Sequence, residues 1–396
     1  MSTPPPPLVT PATLWPVSRR ARLGLGLGAV VLGVIGFFAA GSVAKLGAQA
    51  ATVRPAAPQV VRGDGISGAE GMVWVPGGEF LMGSNSDLAQ PNERPAHRVR
   101  VRGFWMDETH VTNAQFAAFV EATGYVTTAE RKPRWEDLAP QLPAGTPQPD
   151  DSVLVPGAMV FVGTEKPVSL ADWGRWWQFV PSADWRHPTG PGSNLDGKSD
   201  HPVVQVSYED AQAYARWAGK RLPSEAEWEF AARGGLEQAT YAWGNDFAPQ
   251  DQRMANIWEG PGGTFPVVSR GKPILSAKAA GIIGTTPART FPANGYGLYD
   301  MTGNAWQWVA DWYQADAFRR HPTDRLRIDP QGPVSSWDPD DVDVPALAPK
   351  RVTRGGSFLC NETYCLSYRP SARRGTDPMN SMSHIGFRLV RDGNPG

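Results

Sequence analysis

Two cysteines, Cys360 and Cys365, stand five positions apart late in a chain of 396 residues, within Gly355-Gly356-Ser357-Phe358-Leu359-Cys360-Asn361-Glu362-Thr363-Tyr364-Cys365. Thiols this close can form a disulfide, share a soft metal ion, or act as a nucleophile and its resolving partner. Zinc is disfavoured, because no second cysteine pair or histidine cluster completes four ligands. The six histidines, His97, His110, His187, His201, His321 and His384, show no metal-ligand spacing. Thiol exchange usually relies on a tighter Cys-x-x-Cys beside a βαβ unit, and neither is present. Spacing alone leaves a structural disulfide, a soft-metal site and thiol exchange open.

The composition limits what surrounds this pair. With 38 basic and 39 acidic residues the formal net charge is -1, so no global field draws nucleic acid or an acidic surface. The 43 Gly, 38 Pro and 16 Trp indicate a loop-rich body held by buried aromatic anchors rather than by long regular elements. The N-terminus differs in kind. Pro4 to Pro7 and Arg19, Arg20 and Arg22 precede an apolar, Gly-rich run from Leu23 to Val43. A run of about 20 residues is long enough to cross a bilayer as a helix. Basic residues before it predict a cytoplasmic N-terminus over 1–22, a signal anchor over 23–44, a Pro- and Gly-rich linker over 45–70 and an extracytoplasmic body over 71–396. The alternative is a signal peptide cleaved near Ala48-Gln49-Ala50 and a secreted body. Either way the cysteines lie where a disulfide is permitted.

The elements that must position the pair are short. Met72 to Gly83 has two apolar runs about Pro76-Gly77-Gly78, which reads as a hairpin, and His97 to Met106 alternates as a strand. Thr112 caps a helix through Val120, Ser207 caps a second over Tyr208 to Ala218, and Ser224 opens a short third with Trp228 and Phe230 inward. From Arg131 to Ser199 the sequence reads as a long ordered excursion with few periodic segments. Strand-like pieces return at Arg351 to Phe358 and Ile385 to Val390. Few helices and many short strands indicate an α+β fold rather than an alternating βαβ one.

Read together, several segments carry a family resemblance. His201-Pro202-Val203-Val204-Gln205-Val206-Ser207, Lys220-Arg221-Leu222-Pro223-Ser224-Glu225-Ala226-Glu227-Trp228, Gly295-Tyr296-Gly297-Leu298-Tyr299-Asp300-Met301-Thr302-Gly303-Asn304-Ala305-Trp306-Gln307-Trp308 and Ile385-Gly386-Phe387-Arg388 resemble, in this order, the formylglycine-generating enzymes, or sulfatase-modifying factors. The likeness runs from about Gly71 to Arg391 and takes in Trp185-Arg186-His187-Pro188 and Arg354-Gly355-Gly356-Ser357 before the cysteines. It implies a variant of the C-type-lectin-like fold with little regular secondary structure. The activity it implies is copper- and O2-dependent oxidation of a cysteine, within Cys-x-Pro-x-Arg of an unfolded sulfatase, to Cα-formylglycine. By that resemblance Cys360 and Cys365 hold Cu(I) and await the substrate thiol, Ser357 is the active-site serine, and Trp306 lines the pocket.

The resemblance also implies calcium. One site would use Asp300, Gly303, Ala305 and Gln307, where relatives usually carry glutamate in place of Gln307. A second would use Asn256, Ile257 and Ile282, weakened because Ala280 stands where an aspartate is expected. His384 replaces an asparagine before Gly-Phe-Arg, and Gly375-Thr376-Asp377-Pro378 departs from the usual order, both near the pocket wall. Arg369, Arg373 and Arg374 read as surface residues. The competing function is a non-catalytic, lectin-like binding module of the cell envelope whose cysteines form a structural disulfide.

Overall fold

A computed structural model describes residues 59–63, 70–258, 265–269, 272–273, 284–321 and 323–393. The expected cytoplasmic N-terminus and anchor, most of the expected linker, Ala280 and Ile282 lie outside them. Among the described residues no helix is long and apolar enough to cross a membrane.

The chain opens with β1 (Met72–Val75), β2 (Gly78–Met82), β3 (His97–Val101) and β4 (Phe104–Asp107), followed by α1 (Asn113–Thr123) and the single turn α2 (Trp135–Leu138). Then come β5 (Gly157–Phe161), β6 (Trp177–Pro181), α3 (Tyr208–Trp217), α4 (Glu225–Arg233), β7 (Val268–Ser269) and β8 (Lys272–Pro273). The C-terminal part supplies β9 (Trp306–Trp312), β10 (Arg327–Ile328), β11 (Arg351–Arg354), β12 (Arg373–Thr376), β13 (Ile385–Phe387) and β14 (Val390–Arg391). This is an α+β fold of small sheets and few helices, as the composition and the resemblance indicate.

The expected hairpin between β1 and β2 does not form. β1 pairs with β4 and β2 with β3, so the two strands belong to different sheets, ordered β1-β4-β14 and β10-β3-β2. The Pro76-Gly77 turn and the Arg102-Gly103 turn cross at one corner. A Cβ on Gly77 would lie 2.5 Å from the Gly103 nitrogen, and one on Gly103 would lie 2.2 Å from the Trp74 ring. Close backbone crossing of this kind requires glycine, and it lets both connections change sheet.

The three capped helices form where their start signals stand. Gln115 N donates to Thr112 Oγ1 and Thr112 N to Gln115 Oε1, and the same reciprocal pattern links Ser207 to Asp210 and Ser224 to Glu227. The long excursion contains the β5–β6 hairpin, whose approach buries Trp176 and Trp177. The strand-like piece after Arg351 ends at Arg354, where two glycines divert the chain.

A four-stranded sheet, ordered β12-β11-β9-β13, carries the site. β11 is antiparallel to β12 and β9, while β13 runs parallel to β9, with Ile385 opposite Trp306. β9 is buried at nearly every position, including Trp306 and Trp308. Two large apolar clusters flank the sheet: one gathers α1, α3 and the aromatic residues of the excursion, the other α4 and the N-terminal strands.

Candidate active site

β11 delivers the cysteine segment. Gly355 and Gly356 both adopt positive φ, 92° and 70°, turning the chain sharply after Arg354. At Gly356 a Cβ would lie 3.1 Å from Cys360 Sγ and 3.0 Å from the Ser367 backbone, so glycine sets the distance between this turn and the sulfur. Cys360 N then donates to Ser357 O at 3.0 Å, and Cys365 N to Asn361 O at 3.0 Å. Asn361 Oδ1 accepts from Thr363 N at 2.8 Å and Tyr364 N at 2.9 Å, folding the intervening loop back on itself. Cys360 and Cys365, 1 % and 3 % exposed, are joined in a disulfide with their Cα atoms 4.6 Å apart.

The four residues expected to carry chemistry meet in one place. Cys360, Cys365, Ser357 and Trp306 line a single narrow cavity together with Trp177, Phe265, Leu359, Tyr364 and His384. The space left among them is ≈ 10 Å³, about the lower limit for one water. Ser357 is fully buried; its N–H points to Cys360 Sγ at 3.4 Å and its Oγ accepts from Leu359 N at 3.3 Å. Trp306 N donates to His384 O at 2.8 Å, tying β9 to the residue just before β13. Trp177 and Phe265 escape a sequence reading, because each sits in a Pro- and Gly-rich stretch with no periodic pattern to mark it as inward.

Buried charge fixes the base of the loop. Arg354, 0 % exposed, donates to Glu225 Oε1 at 2.6 Å, to Glu229 Oε2 at 2.7 Å and to Pro370 O. Glu225 also receives Arg373 at 2.6 and 2.8 Å, so one carboxylate of α4 joins β11 to β12. Burial alone would raise the Glu225 carboxyl, but the charges of Arg373 and Arg354 prevail and hold it at about 2. Arg369 makes a two-pronged pair with buried Glu93 at 2.8 and 2.6 Å. The reading of Arg369 and Arg373 as surface residues is thereby corrected: both are buried and fully engaged. Arg374 is partly buried and lies 5.6 Å from the Trp306 ring; burial lowers it to about 9. Burial, reinforced by the Arg374 charge, lowers His384 to about 3, so its imidazole is neutral.

The residues assigned to calcium cluster behind the cavity but do not make a calcium site as they stand. Gln307 Oε1 accepts from Trp228 Nε1 at 2.8 Å and from Arg388 Nε at 2.7 Å, which uses both lone pairs. Its nitrogen faces the Asp300 and Met301 carbonyls at 3.2 and 3.0 Å, where a glutamate would offer oxygen. Arg388 also donates to Asp300 O at 3.1 Å, and His110 to Ala305 O at 2.9 Å. Asp300 keeps Oδ1 unpartnered, and burial raises its carboxyl to about 6. Gly303 packs against Asn256, where a Cβ would lie 2.7 Å from the Asn256 carbonyl. At the other site Arg253 donates to Ile257 O at 2.9 Å and lies 3.4 Å from Asn256 Oδ1. Calcium prefers six to eight oxygen ligands. Here guanidinium groups engage oxygens of both sets, so no step is built on calcium.

This geometry agrees with comparisons to known proteins. The pattern of the sulfatase-modifying factor enzyme 1-like domain matches residues 59–393. The formylglycine-generating enzyme of Thermomonospora curvata is 45% identical over 326 residues, covering 82% of this chain and 94% of that protein. The formylglycine-generating enzyme of Mycobacterium tuberculosis is 46% identical, covering 81% and 97%. A mouse protein named inactive Cα-formylglycine-generating enzyme 2 is 35% identical, covering 81% and 85%. Among solved structures, PvdO from Pseudomonas aeruginosa superposes with a TM-score of 0.47 at 23% identity, covering 84% of this chain and 98% of that one. With the domain pattern matched over residues 59–393 and a relative 45% identical covered over 94% of its length, the chain belongs to the sulfatase-modifying factor, or formylglycine-generating enzyme, family.

Proposed function

We propose that this protein oxidises a cysteine within Cys-x-Pro-x-Arg of an unfolded sulfatase to Cα-formylglycine, using O2 and Cu(I). The observation that carries the reading is the pair of adjacent, buried cysteine sulfurs in a cavity shared with Ser357 and Trp306. Membership in the family alone does not carry it, since relatives at similar coverage bear names of both active and inactive proteins.

The residues present suit copper. Two soft sulfurs lie within bonding reach of each other, and the aromatic and aliphatic walls around them exclude bulk water. In the reduced pair, Cys360 and Cys365 would be the protein ligands. Bound Cu(I) would supply the one-electron exchange with O2 that ordinary side chains perform poorly. The protein's own task is placement. The Gly355-Gly356 turn and the Arg354 network fix Cys360, and the Asn361 cap fixes Cys365. Ser357, whose backbone N–H points to Cys360 Sγ, would bring its hydroxyl to the same cavity for proton transfer, and Trp306 would form a wall for the incoming thiol. The net change, R–CH2–SH + O2 + 2 e⁻ + 2 H⁺ → R–CHO + H2S + H2O, requires an external reductant of the thiol class. The same reductant would open the disulfide.

The extracytoplasmic, membrane-anchored location belongs to this proposal, and its support is the sequence of residues 1–44. The second reading, a binding module with a structural disulfide, is favoured by the closed Cys360–Cys365 bond. Incubating reduced, copper-loaded protein with a Cys-x-Pro-x-Arg peptide and a thiol reductant in air separates the two: the enzyme yields aldehyde by mass spectrometry, and the binding module leaves the peptide unchanged.

A further inference from the structure

One polar group in the cavity wall has no role in the reaction proposed above. His384 is 2 % exposed and lines the cavity with Cys360, Cys365, Ser357 and Trp306. Its ring lies 4.7 Å from that of Trp177, tilted by 40°, and its carbonyl receives Trp306 N at 2.8 Å, so both ring and backbone are held. Nδ1 is buried and has no hydrogen-bond partner. Burial as such does not impose this. His110, equally enclosed, places Nε2 at 2.9 Å from Ala305 O and Nδ1 at 3.5 Å from Arg388 Nη2.

A buried nitrogen left unpaired on a residue that lines a cavity is costly unless an occupant of that cavity pairs with it. The space of ≈ 10 Å³ is at the lower limit for one water, so water fits it poorly. A soft metal ion between the cysteines is a better one. Imidazole nitrogen is a good donor to copper.

We propose that His384 is a nitrogen donor to a Cu(I) ion held with the thiolates of Cys360 and Cys365, giving this chain a two-sulfur, one-nitrogen set. The inference rests on the copper reading above. Formation of the set begins with reduction of the disulfide by a phosphine, which gives up two electrons and becomes its oxide while water supplies that oxygen and the two thiol protons. The two thiol protons then leave as the ion binds. The third donor would hold the ion before the substrate thiol arrives, and that thiol would add to the set or replace the nitrogen.

The test uses full-length protein, reduced with a phosphine under anaerobic conditions and loaded with one equivalent of Cu(I). X-ray absorption at the copper edge is recorded for the wild type, His384→Asn and His384→Phe, with Cu(I) affinity from competition against a chromophoric chelator. The wild type should show two sulfurs and one nitrogen with the multiple scattering of an imidazole. Both variants should lose that scattering, keep their melting temperature, and bind Cu(I) at least about tenfold more weakly, the lower end for even an outer-shell partner. A wild-type shell of sulfur alone, or unchanged affinity in both variants, would overturn the role of His384 while leaving the copper reading standing. Wild-type protein that takes up no Cu(I) would overturn both.

Discussion

Gly356 shows how closely a single residue is tied to the site. Its φ of 70° strains any other residue, and a Cβ 3.1 Å from Cys360 Sγ would push the sulfur or its neighbours aside by a few tenths of an ångström. Gly356→Ala should therefore lower conversion of a substrate peptide by more than about tenfold, because misplacement by an ångström can cost about a hundredfold. The check is kcat beside an unfolding midpoint: activity should fall far more than stability. At this scale the cysteines were legible, since few chemistries need two thiols five apart, and the resemblance drew Ser357 and Trp306 to them. Gln307 was legible only as a departure. That its amide nitrogen takes the place of an oxygen follows from Trp228 and Arg388, which come from distant parts of the chain. The burial of Arg369 was hidden for the same reason, since its partner Glu93 is 276 positions away.

Among elements, α4 and β11 bear most of the responsibility for holding the loop. Arg354 has two carboxylate partners and a carbonyl in a fully buried setting. Removing one member of such a network leaves uncompensated charge, so Arg354→Met should destabilise the fold by about 3–5 kcal/mol in urea unfolding. A neighbouring carboxylate gives a pH signature. Asp311 accepts from Glu225 N at 2.7 Å, and burial, then the Glu225 charge, raises its carboxyl from 3.8 to about 7. Between those values the folded protein keeps a proton that the unfolded chain releases. The associated stability is full below 3.8 and is lost as pH rises through about 7, with a slope of up to about 1.4 kcal/mol per pH unit. Asp311→Asn should remove that slope, and urea midpoints across the window would reveal it. The capped helices were legible because Thr112, Ser207 and Ser224 carry local signals. β9 was not, because a strand buried on both faces shows no alternation. The β1–β2 hairpin was misread because its glycines serve a crossing with a second turn rather than a tight reversal.

For the whole molecule, aromatic packing takes the place of long regular elements, as the 16 Trp and 38 Pro of the composition suggest. The chain's end returns to its beginning: β14 pairs with β4, and β13 lies beside β9 at the cavity. The α+β class was therefore readable from composition and short periodic segments, while the sheet order was not, since it depends on pairings hundreds of residues apart. The central proposal is that the buried cysteine pair holds the copper with which O2 oxidises a substrate thiol. The most direct test is mass spectrometry of a Cys-x-Pro-x-Arg peptide incubated in air with reduced, copper-loaded protein and a thiol reductant, alongside Cys360→Ser and Cys365→Ser. The account predicts conversion of the peptide thiol to an aldehyde that an aminooxy reagent traps, and loss of conversion in both variants. A peptide left unchanged by the wild type, or converted equally by the variants, would contradict it.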